Sequence, residues 1–126
     1  MIVGIGIGLV DVARVRRLLD EEHAERARER LFSPRELELA GAGTGAIESL
    51  AARFAAKEAA MKALGTGWSG GLGFRDIEVG RDPAGAPTLA LSGAAAERAR
   101  SLGVARCHVS LTHTRELAQA IVVLES

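Results

Sequence analysis

The segment from about Ala46 to Leu64 constrains the fold of this chain more than any other feature. It contains neither glycine nor proline, and Gly65 follows it directly, which predicts one long helix that ends there. Its large apolar side chains recur at helical spacing and form a single stripe: Ile47, Leu50, Phe54, Met61 and Leu64. A chain of 126 residues suits one domain, so we predict a single domain over residues 1–126 with this helix at its centre.

Short strand-like segments surround the central helix in the sequence. Apolar and β-branched residues between turn residues predict strands near residues 2–7, 77–79, 88–91, 104–111 and 120–124. Further helices are expected from Leu9 onward and between Ser92 and Gly103, and Ser33-Pro34-Arg35-Glu36 has the pattern of a capped helix start. This mixture predicts an α+β domain in which a mostly antiparallel sheet packs on the long central helix.

The overall charge and composition exclude some classes of function. The chain has 16 basic and 16 acidic side chains, so it lacks the basic surplus with which nucleic-acid binders displace phosphate counterions. No apolar run approaches the ~20 residues of a membrane span, and no signal peptide is visible after Met1. The single cysteine, Cys107, cannot form an internal disulfide and suits a reducing compartment. We therefore expect a cytoplasmic protein that binds neither nucleic acid nor membrane.

Glu58 is the most informative side chain of the central helix. It lies about 40° from Phe54 around the helix, inside the apolar stripe, where an unpaired carboxylate is costly. One interpretation is an ordinary ion pair with Lys62, four residues further on. The other is a carboxylate ligand for magnesium, with Lys57 and Lys62 positioned for phosphate groups. The sequence leaves both interpretations open.

Two segments outside the helix can contribute to a site. Glycines in the loop Gly65–Gly71 allow backbone amides to approach phosphate oxygens. The loop follows the negative pole of a helix, however, so Lys62 would have to compensate, and a loop of this kind needs no function. His113 is expected where a strand ends, a common position for a functional residue, but a lone histidine is more often inert. The glycines between Gly4 and Gly8 lack the spacing of a dinucleotide-binding fingerprint, and we reject that interpretation.

Four blocks of the sequence, in order, resemble one protein family. They are Gly4-Ile5-Gly6 followed by Val10, Asp11, Val12 and Arg14; Arg53-Phe54-Ala55-Ala56-Lys57-Glu58-Ala59 continuing from Lys62 to Gly67; Phe74 to Val79; and Val109 to Thr114. The family resembled is the short, trimeric type of 4′-phosphopantetheinyl transferase, the bacterial holo-acyl-carrier-protein synthases. The resemblance spans nearly the whole chain, and its second block is the most specific.

The resemblance implies a fold of the 4′-phosphopantetheinyl transferase type and an activity. Members of the family transfer the 4′-phosphopantetheine arm of coenzyme A to a serine of apo acyl-carrier protein in fatty acid biosynthesis, and 3′,5′-ADP leaves. Magnesium lies across the diphosphate, and the active sites lie between the subunits of a homotrimer. The implied cofactor is therefore magnesium, and the implied partners are coenzyme A, acyl-carrier protein and further copies of this chain.

The resemblance also implies roles for residues at matching positions. Its catalytic positions are Glu58, Lys62 and His113, with Glu58 as a magnesium ligand. The positions near bound coenzyme A are Arg53, Lys57, Lys62, Gly65, Thr66, Gly67 and His113. The docking surface for an acidic carrier protein falls on Arg14, Leu18, Arg26 and Arg30.

Gly8 departs from the family pattern. The family has its second metal-binding aspartate here, and Asp11 is not a shifted copy because it occupies a position where the family commonly has glutamate. We therefore expect weaker magnesium binding and a low turnover, which Gly8→Asp raises by about 10²–10³. The alternative functions are a non-catalytic module that still binds coenzyme A or a carrier protein, and a structural trimer without a ligand.

Overall fold

One strand and four successive helices form the first half of the chain in the computed structural model, which describes residues 1–20, 22, 24–67 and 71–126. The elements in order are β1 (Ile2–Asp11), α1 (Val12–Asp20), α2 (Ala24–Leu31), α3 (Pro34–Ala40), α4 (Ala46–Ala63), a short 3₁₀ helix (Phe74–Asp76), β2 (Ile77–Arg81), β3 (Pro87–Leu91), α5 (Gly93–Ser101), β4 (Arg106–His113) and β5 (Leu117–Glu125). The prediction of an α+β fold with a long central helix is confirmed.

Two antiparallel sheets lie around helix α4. The larger has the strand order β1-β5-β4, so β1 and β4 are its edges, and the smaller is the hairpin of β2 and β3. One face of the larger sheet packs against α4, which is buried along most of its length. The other face carries exposed apolar side chains, among them Ile7, which is paired with Ile121 across the β1–β5 ladder.

The first strand and the second helix differ from the sequence-based expectations. Strand β1 continues to Asp11, and α1 begins at Val12 rather than at Leu9, because the backbone of this segment pairs with β5 along its whole length. Val15 and Leu19 of α1 are buried, as their spacing predicted. Helix α2 was not predicted, since it is rich in charge and carries no buried residue to produce an apolar stripe. Residues 68–70 of the predicted glycine-rich loop lie outside the described residues.

Strand β1 approaches α4 so closely that a side chain at its glycines would need the backbone to shift. A Cβ atom on Gly6 would lie 1.8 Å from the carbonyl oxygen of Ala59, and one on Gly8 would lie 2.0 Å from that of Ala55. Gly4 makes the same approach one turn further along the helix. The glycine alternation that resembled a nucleotide-binding motif is therefore a packing feature, in which strand backbone lies directly on helix backbone.

A buried ion pair on another side of α4 connects the helix to α3, to the 3₁₀ helix and to β2. The Nζ atom of Lys57 lies 2.7 Å from Oε1 of Glu36, and both side chains are 0% exposed. The same ammonium donates hydrogen bonds to the carbonyl oxygens of Phe74, at 2.8 Å, and Ile77, at 2.5 Å. Burial lowers the pKa of Lys57, and the charge of Glu36 opposes that shift. The three hydrogens of the ammonium are matched by three acceptors.

Glu36 also accepts hydrogen bonds from two backbone amides. Its Oε1 accepts from Ser33 N at 2.9 Å and its Oε2 from Val79 N at 3.0 Å. Together with the bond from Glu36 N to Ser33 Oγ, at 3.2 Å, this forms the capping box of α3 that the sequence pattern indicated. One carboxylate thus connects the start of α3 to strand β2 and helix α4.

We predict that positions 36 and 57 are strongly coupled in stability. Lys57→Met should lower the free energy of unfolding by about 3–5 kcal/mol, because it leaves the Glu36 carboxylate buried without its cation. Glu36→Leu combined with Lys57→Met should be less destabilised than the sum of the two single variants, since no buried charge remains. Urea denaturation of the four proteins measures this coupling, and an additive double variant would contradict it.

Candidate active site

Glu58 is half-buried on α4, beside two cations that do not form an ion pair with it. Burial raises the pKa of Glu58, while the charges of Arg14 and Lys62 act in the opposite direction. The ion pairs among the described residues involve Glu36 and Glu125 but not Glu58. The pairing of Glu58 with Lys62 is therefore not formed, and the carboxylate is left for another cation.

Lys62 contacts strand β1 instead of Glu58. Its side chain is exposed, and its Nζ atom donates to the carbonyl oxygen of Ile7 at 2.8 Å. This contact follows from the close packing of β1 on α4, in which Gly6 and Gly8, on either side of Ile7, lie against Ala59 and Ala55 of the helix. An ammonium has three donor hydrogens, so Lys62 keeps capacity for a ligand at this edge.

The described residues do not form a metal cage by themselves. No group of three or more His, Cys, Asp or Glu side chains converges on one point within those residues. Gly8 adds no carboxylate, and Asp11 is exposed at the end of β1. Magnesium, however, is commonly held by one or two carboxylates together with substrate phosphates. A single half-buried carboxylate without an ion-pair partner fits that kind of site.

The backbone directly after α4 hydrogen-bonds to the end of the helix. The amide of Gly65 donates to the carbonyl of Lys62 at 3.0 Å, and the amides of Thr66 and Gly67 donate to that of Met61 at 3.3 and 3.4 Å. These bonds satisfy carbonyl groups left open at the helix end. In this conformation these three amides are already hydrogen-bonded, and the role of Gly65, Thr66 and Gly67 at a phosphate site stays a prediction.

Arg53 and His113 lie in a separate pocket. They line a cavity of about 240 Å³ together with Arg81, and neither Glu58 nor Lys62 reaches it. Arg53 is buried, and its Nε atom donates to Val79 O at 3.1 Å, while Nη1 donates to Ser49 Oγ. Burial, followed by the charge of Arg81, lowers the pKa of Arg53. His113 is exposed at the end of β4, as predicted.

The charged and histidine side chains predicted at the site thus divide into two groups, and Lys57 belongs to neither. Glu58 lies near Lys62, which contacts β1, whereas Arg53 and His113 lie near β2 and β4. Lys57, expected beside coenzyme A, is instead sealed in the core by its pair with Glu36. Lys57 is the immediate neighbour of Glu58 in the sequence. Spacing alone did not show that one of them lies in the core and the other at the surface of the helix. Adjacent helix positions differ by about 100° in direction, so one can enter the core and the other a site.

Three of the four predicted docking residues come together. Arg14, Leu18 and Arg30 line an open pocket of about 440 Å³ whose walls include Phe54 and Phe74. The two phenylalanine rings are stacked with centroids 5.3 Å apart, and the Arg14 guanidinium lies 5.8 Å from the centroid of Phe54. Arg26 is exposed but does not line this pocket. No local pattern marked Phe74 as a wall of this pocket, since its approach depends on the 3₁₀ helix before β2.

Comparison with known proteins shows the family of this chain. The sequence pattern of the 4′-phosphopantetheinyl transferase superfamily matches residues 4–122. A holo-[acyl-carrier-protein] synthase from Nitratidesulfovibrio vulgaris is 52% identical over 126 residues, which is 100% of both chains. One from Koribacter versatilis is 46% identical over 125 residues, or 99% of each chain.

Solved structures give the same result. The crystal structure of holo-[acyl-carrier-protein] synthase from Neisseria meningitidis matches with a TM-score of 0.88 at 34% identity and covers 100% of both chains. That from Bacillus anthracis, in complex with CoA (3′,5′-ADP), matches with a TM-score of 0.81 at 38% identity over 100% of this chain and 98% of the other. The chain therefore belongs to the 4′-phosphopantetheinyl transferase superfamily.

Proposed function

We propose that this chain transfers the 4′-phosphopantetheine arm of coenzyme A to a serine hydroxyl of apo acyl-carrier protein, releasing 3′,5′-ADP, in fatty acid biosynthesis. The observation that carries the proposal is the unpaired, half-buried Glu58 beside Arg14 and Lys62, in a chain whose full-length relatives are holo-[acyl-carrier-protein] synthases. The solved structures from Bacillus anthracis and Helicobacter pylori contain coenzyme A in their complexes, which supports coenzyme A as the donor here.

Glu58 and Lys62 are the proposed catalytic residues of the β1 edge. Glu58 is the residue that would hold magnesium, which neutralises charge on a diphosphate and on the leaving group when it is bound. Lys62 presents its ammonium next to this carboxylate and pairs with phosphate oxygens. Because Gly8 supplies no second carboxylate, substrate phosphates carry more of the metal coordination than in a site with two carboxylates.

An apolar sheet face supports a homotrimer. Ile5, Ile7 and Leu9 of β1 are 57%, 49% and 60% exposed, and Ile121 of β5 adjoins them. A row of large apolar side chains on one sheet face is characteristic of a surface that another protein covers. We propose that this face packs against two further copies of the chain.

The strand order explains how assembly would complete the active site. Glu58 and Lys62 lie by edge strand β1, and His113 lies at the end of edge strand β4, with β5 between them. Packing the apolar faces around a threefold axis sets the β1 edge of one sheet beside the β4 edge of the next. The Arg53–His113 pocket of one copy and Glu58 of its neighbour then bind different parts of one coenzyme A.

The pocket beside α1 is the proposed docking surface for the carrier protein. Arg14 and Arg30 supply positive charge around apolar walls that include Leu18, Leu31 and Phe54. An acidic helix with one protruding apolar side chain complements such a surface in charge and shape. Arg14 also lies near Glu58, so a docked carrier places its serine close to the proposed metal position.

We propose the cytoplasm as the location, supported by the single, half-buried thiol of Cys107. Within the ranges that the structure describes, no helix has both the length and the apolar character to cross a membrane. The second candidate function is a non-catalytic module that binds coenzyme A or the carrier, and Gly8 is the observation that favours it.

Incubation with coenzyme A, magnesium and an apo carrier protein should increase the mass of the carrier by one phosphopantetheine group. Glu58→Gln keeps the shape of the side chain but removes its charge, so its residual activity should no longer respond to magnesium. Glu38→Gln, on the exposed surface of α3, is the control and should respond as the parent does. Coenzyme A binding without any mass increase would favour the non-catalytic module, and an unchanged magnesium response in Glu58→Gln would refute its role.

Two substitutions at Gly8 should distinguish an increase in turnover from a loss of stability. Gly8→Ala and Gly8→Asp both force β1 away from the Ala55 carbonyl, so each should lower the free energy of unfolding by about 1–3 kcal/mol. Only Gly8→Asp adds a carboxylate, and it should turn over the carrier about 10²–10³ times faster than Gly8→Ala. Gly43→Ala, where a Cβ meets nothing within 4 Å, controls for the glycine change itself. Equal turnover in the two Gly8 variants would rule out the missing-ligand explanation.

Ile5→Glu should convert the trimer to a monomer, because it places a charge in the middle of the apolar face. Light scattering at micromolar concentration measures the mass, and coenzyme A affinity should fall with trimer content. Thr88→Glu, exposed on β3 away from this face, should remain trimeric. A monomeric parent chain that binds coenzyme A at full strength would contradict the shared site.

A further inference from the structure

The end of α4 is an unfavourable place for a phosphate unless side chains compensate. The C-terminal pole of an 18-residue helix carries partial negative charge, and the amides of Gly65, Thr66 and Gly67 are turned back onto helix carbonyls. Neither the helix end nor the amides of residues 65–67 therefore supply positive charge to an anion in the described part of this region. Cationic side chains can supply it, and Lys62 already shares its ammonium with Ile7 O.

Arg98 of helix α5 places a guanidinium at this helix end. Its Nε atom donates to the carbonyl oxygen of Leu64 at 2.9 Å, and the side chain is half-buried. Its Nη2 atom lies close to Gly65, since a Cβ built on that glycine would be 3.5 Å away. The planar group is thus oriented by one hydrogen bond and extends alongside the first residue of the loop.

Arg98 differs from the other buried or half-buried cations around α4 in how many of its hydrogen-bond donors lack an acceptor within the described part of the protein. Arg53 uses both Nε and Nη1 on protein acceptors, and Lys57 uses all three of its hydrogens. Among the described residues, the only acceptor recorded for the Arg98 guanidinium is Leu64 O, and no carboxylate forms an ion pair with it. Its two Nη groups can therefore donate hydrogen bonds to a ligand. Their planar, forked arrangement suits two oxygens of one phosphate.

We infer that Arg98 is a further phosphate-binding residue, which contacts the diphosphate of coenzyme A at the Gly65–Gly67 loop while its Nε atom neutralises the negative pole of α4. The inference rests on the proposed function, because it takes coenzyme A as the ligand. This role of Arg98 explains how a helix C-terminus can face a diphosphate. The guanidinium offsets the partial negative charge at the end of the helix and binds the anion together with Lys62.

The test compares Arg98→Ala and Arg98→Lys with Arg100→Ala, an exposed arginine of the same helix that serves as the matched control. Isothermal titration with coenzyme A should show affinity reduced about 10- to 100-fold in Arg98→Ala, the usual effect of losing a hydrogen bond to a charged group. Arg98→Lys should regain little of this, since an ammonium that reaches Leu64 O has no fork left for phosphate. Arg100→Ala should stay within about twofold of the parent, as for a surface substitution.

A second measurement separates phosphate contact from a purely structural role. The dependence of coenzyme A affinity on salt should be weaker in Arg98→Ala than in the parent, because one positive charge near the phosphate is lost, whereas Arg98→Lys keeps that charge. Thermal unfolding without ligand reports the helix-end contribution and identifies any variant that fails to fold. Coenzyme A affinity in folded Arg98→Lys equal to that of the parent, or affinity and salt dependence unchanged in folded Arg98→Ala, would overturn the inference alone. A parent chain that does not bind coenzyme A would overturn the proposed function and the inference with it.

Discussion

The backbone contact between β1 and α4 determines where the proposed catalytic groups lie. Because positions 4, 6 and 8 have no side chains, the strand lies against the carbonyl oxygens of the helix rather than against a layer of side chains. This closeness puts the Ile7 carbonyl within hydrogen-bond distance of Lys62 and keeps the β1 edge next to Glu58. A strand separated from the helix by ordinary side chains would leave both groups on an isolated helix surface.

The opposite side of α4 is fixed by charge instead of by close backbone packing. Glu36 and Lys57 bind α3, the turn at Phe74 and strand β2 to the helix through hydrogen bonds that are all buried. Phe74 then stacks on Phe54, which forms a wall of the pocket beside α1. The docking pocket and the β1 edge therefore depend on the same helix, held by two different kinds of interaction.

Local signals in the sequence were sufficient for most elements of the fold. The helix predicted from Ala46 to Leu64 is observed at Ala46–Ala63, and the Ser33–Glu36 pattern forms the capping box it indicated. Both depend on residues a few positions apart, where spacing determines geometry. The strands at the C-terminus were recognised for the same reason, although their ends shifted by a few residues.

The parts that could not be predicted depend on contacts between distant segments. Glu36 accepts a hydrogen bond from Val79, 43 positions away, so nothing near either residue marks Lys57 as a core group. Similarly, Arg98 approaches Leu64 across 34 positions, and its helix shows only ordinary alternation of alanine and charge. Position in a family motif does not reveal that Lys57 lies in the core, because a motif records which residue is present and not which way its side chain points.

The Glu36–Lys57 pair has a consequence for how this sequence can vary. A carboxylate without its ammonium, or an ammonium without its carboxylate, remains fully enclosed by protein, and water cannot replace the missing partner. Single replacements at either position should therefore destabilise the fold, whatever else either residue does. Across chains of this fold the two positions should therefore co-vary. Either the acid and the base are both kept, or both are replaced by apolar residues of similar size.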